Sequence, residues 1–151
     1  ALGRPPVRAV VAAQPARPLA VVARQPAFIT AVLAGVTSFA VMSFIMTATP
    51  ISMHVVDGMP VDDTKSVISL HLLGMYVPSL WSGWLIRTLG VRPLMVAGLV
   101  LMAVCVAISA FVGQHFMHYA VALVLLGMGW NFLFVAGTTL LTTSYAPSER
   151  Y

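Results

Sequence analysis

The chain has 151 residues, of which 60% are hydrophobic and 8% are charged, with eight lysines and arginines against four aspartates and glutamates. Ordinary globular domains carry about 25% charged residues, so this composition excludes a water-soluble domain with a charged surface. The net charge of +4 does not indicate a nucleic-acid-binding protein, because no basic run is interleaved with exposed aromatic residues. The solvent predicted for most of the chain is lipid.

The first segment, residues 1–26, holds five prolines and four arginines but no acidic residue. A secretory signal peptide needs a continuous apolar core and a mitochondrial presequence needs a serine-rich helix, and the prolines disagree with both. We predict a cytoplasmic linker rich in proline and arginine. Because the chain begins with Ala and not Met, we expect it to be a piece of a longer protein.

Three runs without Asp, Glu, Lys or Arg follow, at residues 25–56, 66–86 and 93–148. A bilayer core about 30 Å thick requires roughly 20 helical residues, and the last run divides at the polar, helix-weakening stretch 113–115. We therefore predict an all-α membrane protein in which residues 27–146 form four transmembrane helices and 147–151 begin a cytoplasmic loop. The predicted spans are 28–49, which ends at Pro50, then 66–86, 94–112 and 117–143. Strands are not expected, because the runs are apolar all round and do not alternate.

The positions of the cations predict the orientation of these helices. Arginines precede the first span, lie between the second and third, and follow the fourth, so an even number of crossings places all of them on one side. The opposite side carries Lys65 beside Asp57, Asp62 and Asp63. Because positive loops remain in the cytoplasm, we predict a multi-pass protein with both ends cytoplasmic.

Polar side chains inside a span are costly in lipid, so each is a candidate functional residue. His71 lies about two turns inside the second span, where it either faces a water-filled cavity or hydrogen-bonds to a neighbouring helix. Asn131, beside Trp130 in the fourth span, either binds a substrate or joins two helices. One face of that span, which suits either a cavity lining or ordinary packing, carries Gly127, Asn131, Phe134, Thr138 and Thr142.

Other features of the spans predict shape more than chemistry. Pro78, in the middle of the second span, removes a backbone hydrogen bond and predicts a kink. Small residues four apart predict close helix packing at Ala31/Gly35, Ser79/Gly83 and Ala103/Ala107. The single cysteine, Cys105, offers neither a disulfide nor a metal cluster. Enzyme motifs are missing and no Asp or Glu lies inside a span, so we predict no catalytic residue, no metal site and no cofactor.

The turn after the second span has the sequence Gly83-Trp84-Leu85-Ile86-Arg87-Thr88-Leu89-Gly90-Val91-Arg92-Pro93. Gly83 allows helices to pack closely, Gly90 permits a tight turn, and Arg92 keeps the loop in the cytoplasm. The turn resembles the signature loop of the major facilitator superfamily, Gly-x-Leu-x-Asp-Arg-x-Gly-Arg-Arg, at Gly83, Leu85, Gly90 and Arg92. Arg87 and Thr88 depart from that loop, because they replace its Asp and its first Arg.

Two further stretches, 46–50 and 126–134, also resemble bacterial permeases of this superfamily, and the likeness covers roughly residues 18–151. The resemblance implies two six-helix halves related as parallel repeats. Because the start of the chain resembles the end of the central linker, we assign the chain to helices seven to ten, with helices one to four as the alternative register.

The resemblance implies a segment of a secondary active transporter that moves a small solute across the bacterial inner membrane by alternating access. Its partners would be the solute, the lipid bilayer and the remaining transporter helices, and a coupling proton stays open. The substrate-cavity candidates are His71, Trp130, Asn131 and Thr138. Two alternatives are a complete four-helix scaffold or interaction subunit and an intramembrane enzyme, for which His71 has no partner residue in the sequence.

Overall fold

The computed structural model describes residues 17–113 and 115–145, which form helices and no strand. A short helix α1 (Leu19–Ala23) precedes α2 (Pro26–Ile51), which continues into a π-helical turn at Ser52–Val56. The remaining helices are α3 (Val61–Tyr76), α4 (Ser79–Leu89), α5 (Val91–Phe111) and α6 (Phe116–Thr142). The prediction of an all-α chain is confirmed for these residues. Residues 1–16 of the predicted linker and the predicted loop at 147–151 lie outside them.

Three helical segments are long and apolar enough to cross a membrane, and they are Pro26–Val56, Val91–Phe111 and Phe116–Thr142. They correspond to the first, third and fourth predicted spans. The first differs at its end, because α2 passes Pro50 and the π-helical turn extends it to Val56. A proline costs a helix one hydrogen bond but its fixed φ is compatible with helix, and the Asp57 N–H closes the wider turn on the Ser52 carbonyl at 3.0 Å.

The second predicted span, residues 66–86, is divided between α3 and α4. α3 ends at Tyr76 and α4 begins at Ser79, on either side of the predicted kink at Pro78. With 16 and 11 residues, neither helix alone reaches the roughly 20 residues that a bilayer core requires. The described residues therefore contain three helices of spanning length and one interrupted helical pair.

α6 is the central helix and packs against α2, α3 and α5. In the most apolar 18-residue stretch of α6, 56% of the residues are buried. The corresponding fractions are 22% for the Pro26–Val56 segment and 28% for α5. Glycines allow the close approach, because a Cβ on Gly98 of α5 would lie 2.9 Å from the Gly129 carbonyl oxygen of α6. The close packing predicted at Gly35 and Gly83 is not found among the described residues, since a Cβ on either would meet no heavy atom within 4 Å.

The two ends of the bundle are each held by a polar contact. At one end the Arg17 guanidinium, just before α1, donates to the Ser144 carbonyl beyond α6 at 3.3 Å. At the other end the Tyr119 hydroxyl, in the first turn of α6, donates to the Asp57 carboxylate at 2.7 Å. The start of α2 thus lies near the end of α6, and the end of α2 lies near its start. The two helices are antiparallel.

Candidate functional site

His71 lies in the interface between α3 and α6, where it is 1% exposed. Its Nδ1 lies 2.8 Å from the Leu123 carbonyl oxygen; since a carbonyl only accepts, Nδ1 carries the proton and donates. The helices meet closely here because Gly127 has no side chain, and a Cβ at that position would lie 2.6 Å from the His71 carbonyl oxygen. Of the two interpretations of His71, this geometry supports the hydrogen bond to a neighbouring helix.

Trp130 belongs to a cluster of three aromatic rings between α2 and α6. Its ring is parallel to that of Phe134, one turn further along α6, with ring centroids 5.0 Å apart and planes 6° apart. Phe39 of α2 stands perpendicular to both, with its centroid 5.4 Å from Trp130 and 5.7 Å from Phe134. These distances and angles are the ones that aromatic pairs prefer. We refer to Phe39, Trp130 and Phe134 as the aromatic cluster.

Two buried polar atoms on the same turn of α6 have no hydrogen-bond partner within residues 17–113 and 115–145. They are the Trp130 Nε1, a donor, and the Asn131 Oδ1, an acceptor. Asn131 is 4% exposed, so its carbonyl oxygen does not reach bulk solvent. A buried polar group without a hydrogen-bond partner destabilises a protein by about 1–3 kcal/mol. In a native protein such a group is usually paired with a water or a ligand. These atoms give the centre of α6 unmet hydrogen-bonding capacity.

The other sequence-predicted residues are not gathered at one point. Thr138 is exposed, and its hydroxyl lies 2.9 Å from the Phe134 carbonyl and 3.0 Å from that of Val135. His71 contacts α6 at Leu123, seven residues before Trp130 and therefore about 10 Å away along the helix axis. The structure brings Trp130 together with Phe134 and Phe39, and it leaves His71 and Thr138 at different levels of α6.

The loop between α4 and α5 consists of Gly90 alone, which caps both helices. Its φ of +88° and ψ of 164° belong to a region that is essentially limited to glycine, and its N–H donates to the Ile86 carbonyl at 3.0 Å. Gly83 and Arg92 are exposed and Leu85 is half-buried. Neither Arg87 nor Arg92 forms an ion pair with any described residue, which agrees with the missing acid of this loop.

The family assignment follows from comparison with known sequences. The model of the major facilitator superfamily matches residues 31–151, which include α3, α4, α5, α6 and most of α2. The chain belongs to the major facilitator superfamily. This confirms the resemblance found in the loop around Gly90 and establishes a multi-pass membrane protein.

Three relatives in the superfamily agree with this assignment. A riboflavin transporter of Brucella anthropi is 44% identical over 134 residues, which are 89% of this chain and 33% of that protein. Two uncharacterised MFS-type transporters of Bacillus subtilis are 37% and 36% identical over 112 and 111 residues, each covering 73% of this chain and 25% and 26% of those proteins. No solved structure matches the chain. The chain spans between a quarter and a third of the length of these curated relatives.

Membership of the superfamily also confirms the prediction that the chain is not an enzyme, because the matching relatives are named as transporters. Membership also explains why many large apolar side chains of this segment are exposed. Large side chains such as Phe44 and Leu80 are 75% and 77% exposed, which is expected where a helix faces lipid or another helix. In a superfamily member such exposure does not indicate an aggregation-prone surface.

Sequence analysis missed two features of the site region. Phe39 was not predicted, because nothing in an evenly apolar helix marks the side that meets a residue 91 positions later. The second feature is a chain of hydrogen bonds in which the Tyr119 hydroxyl lies 2.7 Å from both the Ser52 hydroxyl and the Asp57 carboxylate. The sequence offered two signals for these hydrogen bonds: a tyrosine at the end of a predicted span and an acid in a predicted outer loop.

Proposed function

We propose that the chain is a segment of a secondary active transporter that moves a small solute across the inner membrane by alternating access. The observation that carries this proposal is the 44% identity, over 89% of the chain, to a protein named as a riboflavin transporter. Alternating access requires two helical halves that rock about a site near the bilayer midplane. This segment would supply part of one half, corresponding to helices seven to ten.

The antiparallel arrangement of α2 and α6 supports four crossings. Arg17 and Ser144 meet at one end of the bundle, and two ends on one side of a membrane require an even number of crossings. Three helices of spanning length therefore need a fourth crossing, and the pair α3–α4 is available. Residues 61–89 include 29 positions, enough for about 30 Å even though Pro78 interrupts the helix.

Orientation and location are the next parts of the proposal. The arginines of the linker and of the α4–α5 turn would lie on the cytoplasmic side, because positively charged loops remain there. Lys65 would lie outside, where it pairs with Asp62 at 2.9 Å in the first turn of α3. A transporter with this orientation, related to bacterial transporters, fits the inner membrane.

The solute we propose is riboflavin or a compound of similar size and shape. The name of the Brucella anthropi relative supports this choice. A coupling proton, if the transporter uses one, requires a titratable group, and no Asp or Glu lies between residues 64 and 148. We propose that an acid for proton coupling is supplied by helices outside this segment.

The crossings are tested by site-directed labelling of the full-length protein that contains this chain. Cys105, the single cysteine of this segment, is replaced by serine together with any cysteine elsewhere, and Arg24, Arg92 or Lys65 is then changed to cysteine. A membrane-impermeant maleimide on intact cells should label only the Lys65→Cys variant. Labelling of Arg24→Cys and Arg92→Cys from opposite sides would reject the four-crossing arrangement.

Transport is tested with the full-length protein in proteoliposomes. Vesicles preloaded with unlabelled riboflavin should take up labelled riboflavin faster than protein-free vesicles, without ATP on either side. Vesicles containing only the 151-residue segment are the matched control, and they should show no uptake because the opposite wall of the cavity is missing. Uptake that requires ATP would contradict secondary transport, and uptake by the segment alone would contradict its place as part of one half.

A further inference from the structure

We propose that the aromatic cluster binds a neutral, planar, fused aromatic ring of the transported solute. The inference rests on the proposed function, because it names the chemical class of the solute and the side chains that hold it. Phe39, Trp130 and Phe134 would form one wall of the solute site, on the side of α2 and α6 that is open in this segment.

The geometry of the cluster prepares it for such a ring. Trp130 and Phe134 are fixed in a parallel stack by their one-turn spacing on α6, and Phe39 stands perpendicular to both from α2. Phe39 is 45% exposed, so part of its surface is not covered by the described helices. A further aromatic ring against this uncovered surface would extend the same stacked or edge-to-face pattern. Preorganised rings lose little side-chain freedom on binding.

The charges of this segment provide no counter-ion for a cation at the cluster. Aromatic groups also attract ammonium ions, but a cation removed from water needs a compensating acid. The nearest acid in sequence to Phe39 is Asp57, which lies 18 residues, or about 27 Å along a helix, beyond it, and Asp57 already accepts a hydrogen bond from Tyr119. No acid lies within ten residues of Trp130 or Phe134. The surroundings that this segment gives the cluster are therefore uncharged, and they suit an uncharged ring.

The polar atoms near the cluster favour a ring with a few heteroatoms over a sugar. A sugar would present many hydroxyl groups, and the cluster offers few partners for them. Thr138 already donates its hydroxyl to backbone carbonyls. What remains within the cluster itself is one donor, the Trp130 Nε1. A planar heteroaromatic compound with a ring acceptor can accept this hydrogen bond once a small rotation of the indole uncovers Nε1.

The test is a binding measurement on the detergent-purified full-length protein, with lumichrome, a neutral three-ring heteroaromatic compound, as the probe. Phe39→Leu and Phe134→Leu remove aromatic surface but keep an apolar side chain. The matched control is Phe44→Leu, which makes the same change at a phenylalanine of α2 that is 75% exposed and is not in the cluster. We expect each cluster variant to raise the Kd for lumichrome about tenfold, equivalent to about 1.4 kcal/mol, and Phe44→Leu to leave it unchanged.

Equal Kd values for Phe39→Leu, Phe134→Leu and Phe44→Leu would overturn the inference. Displacement of lumichrome by choline or by sucrose at similar concentrations would also overturn it, because either result would assign the site to another class of ligand. The uptake assay above separates the two proposals. If the wild-type protein transports its solute but the cluster variants bind lumichrome normally, the proposed ring-binding site is wrong and the proposed transport function is retained. If lumichrome binding depends on the cluster but no solute moves without ATP, the transporter is wrong.

Discussion

The two faces of α6 that meet α3 and α2 differ in how tightly they are closed. Toward α3 the backbones touch, since a Cβ on Gly127 would lie 2.6 Å from the His71 carbonyl oxygen, and a histidine hydrogen bond joins the helices. Toward α2 the contact is looser, because a Cβ on Gly137 would be 3.4 Å from the Ala34 Cβ, and the aromatic cluster has exposed surface. One helix thus combines a closed contact toward α3 with a looser contact toward α2.

The largest effect that would test this difference is expected from Gly127→Ala. The new methyl group would overlap the His71 carbonyl oxygen and the Met75 amide nitrogen, at 2.6 and 2.8 Å, and neither backbone atom can move away alone. Overpacking of this kind costs roughly 1–3 kcal/mol. We expect a lower midpoint of thermal unfolding for the full-length protein in detergent, measured by the loss of the monodisperse peak in size-exclusion chromatography.

Gly137→Ala is the matched control on the other face of α6. Its Cβ would make only ordinary contacts, and alanine is favoured over glycine in a helix interior by up to about 1 kcal/mol. The midpoint should stay the same or rise slightly. If both variants are destabilised equally, the difference between the two faces is not real.

The sequence predicted the helices better than it predicted these contacts. Charge-free runs of spanning length identified α2, α5 and α6, because a lipid environment tolerates little else, and Pro78 located the break between α3 and α4. The faces could not be predicted in the same way. These helices are apolar all round, so no polar stripe marks the buried side, and small-residue spacing indicated Gly35 and Gly83 where the close contacts are at Gly98 and Gly127.

The residues of the candidate site could be chosen from the sequence, but their surroundings could not. A polar or amphipathic residue in an apolar run stands out, so His71, Trp130 and Asn131 could be selected from the sequence. Their surroundings depend on which helices are neighbours, and that is a property of the fold. The partnership of Phe39 with Trp130 and the hydrogen bond of His71 to Leu123 each join distant parts of the chain, and no local pattern records them.

The α2–α6 contact is held at one end by Tyr119, and Tyr119→Phe should loosen it there. The hydroxyl donates to the Asp57 carboxylate at 2.7 Å and lies 2.7 Å from the Ser52 hydroxyl. Hydrogen bonds to charged groups contribute about 1.5–3 kcal/mol when buried, and because these residues are half-buried we expect about 1 kcal/mol. Faster hydrogen exchange of the amides at 52–59 is the measurement. Tyr76→Phe, at an exposed tyrosine, is the control and should leave this exchange unchanged.

A smaller effect is expected from His71→Leu on the closed face. The substitution removes the bond from Nδ1 to the Leu123 carbonyl, and interhelical hydrogen bonds in membranes contribute about 0.6 kcal/mol on average. The midpoint of unfolding should fall slightly, by less than for Gly127→Ala. We further expect the variant to have the same pH profile of solute uptake as the wild type, because the His71 ring is buried and hydrogen-bonded between two helices. A shifted profile would assign His71 to proton coupling and reopen its functional interpretation.

The smallest effect on stability is expected from Asn131→Leu, one turn beyond Gly127 on α6. The Asn131 Oδ1 is buried and accepts no hydrogen bond from any described residue. Replacing the amide by an apolar side chain of similar size therefore removes an unpaired acceptor without breaking a hydrogen bond to this oxygen. The midpoint should be unchanged or slightly higher. If the oxygen is kept for the solute, the same variant should bind the solute more weakly while it unfolds no earlier. A variant that unfolds much earlier would mean that Asn131 joins helices as His71 does, and its interpretation as a substrate-binding residue would fail.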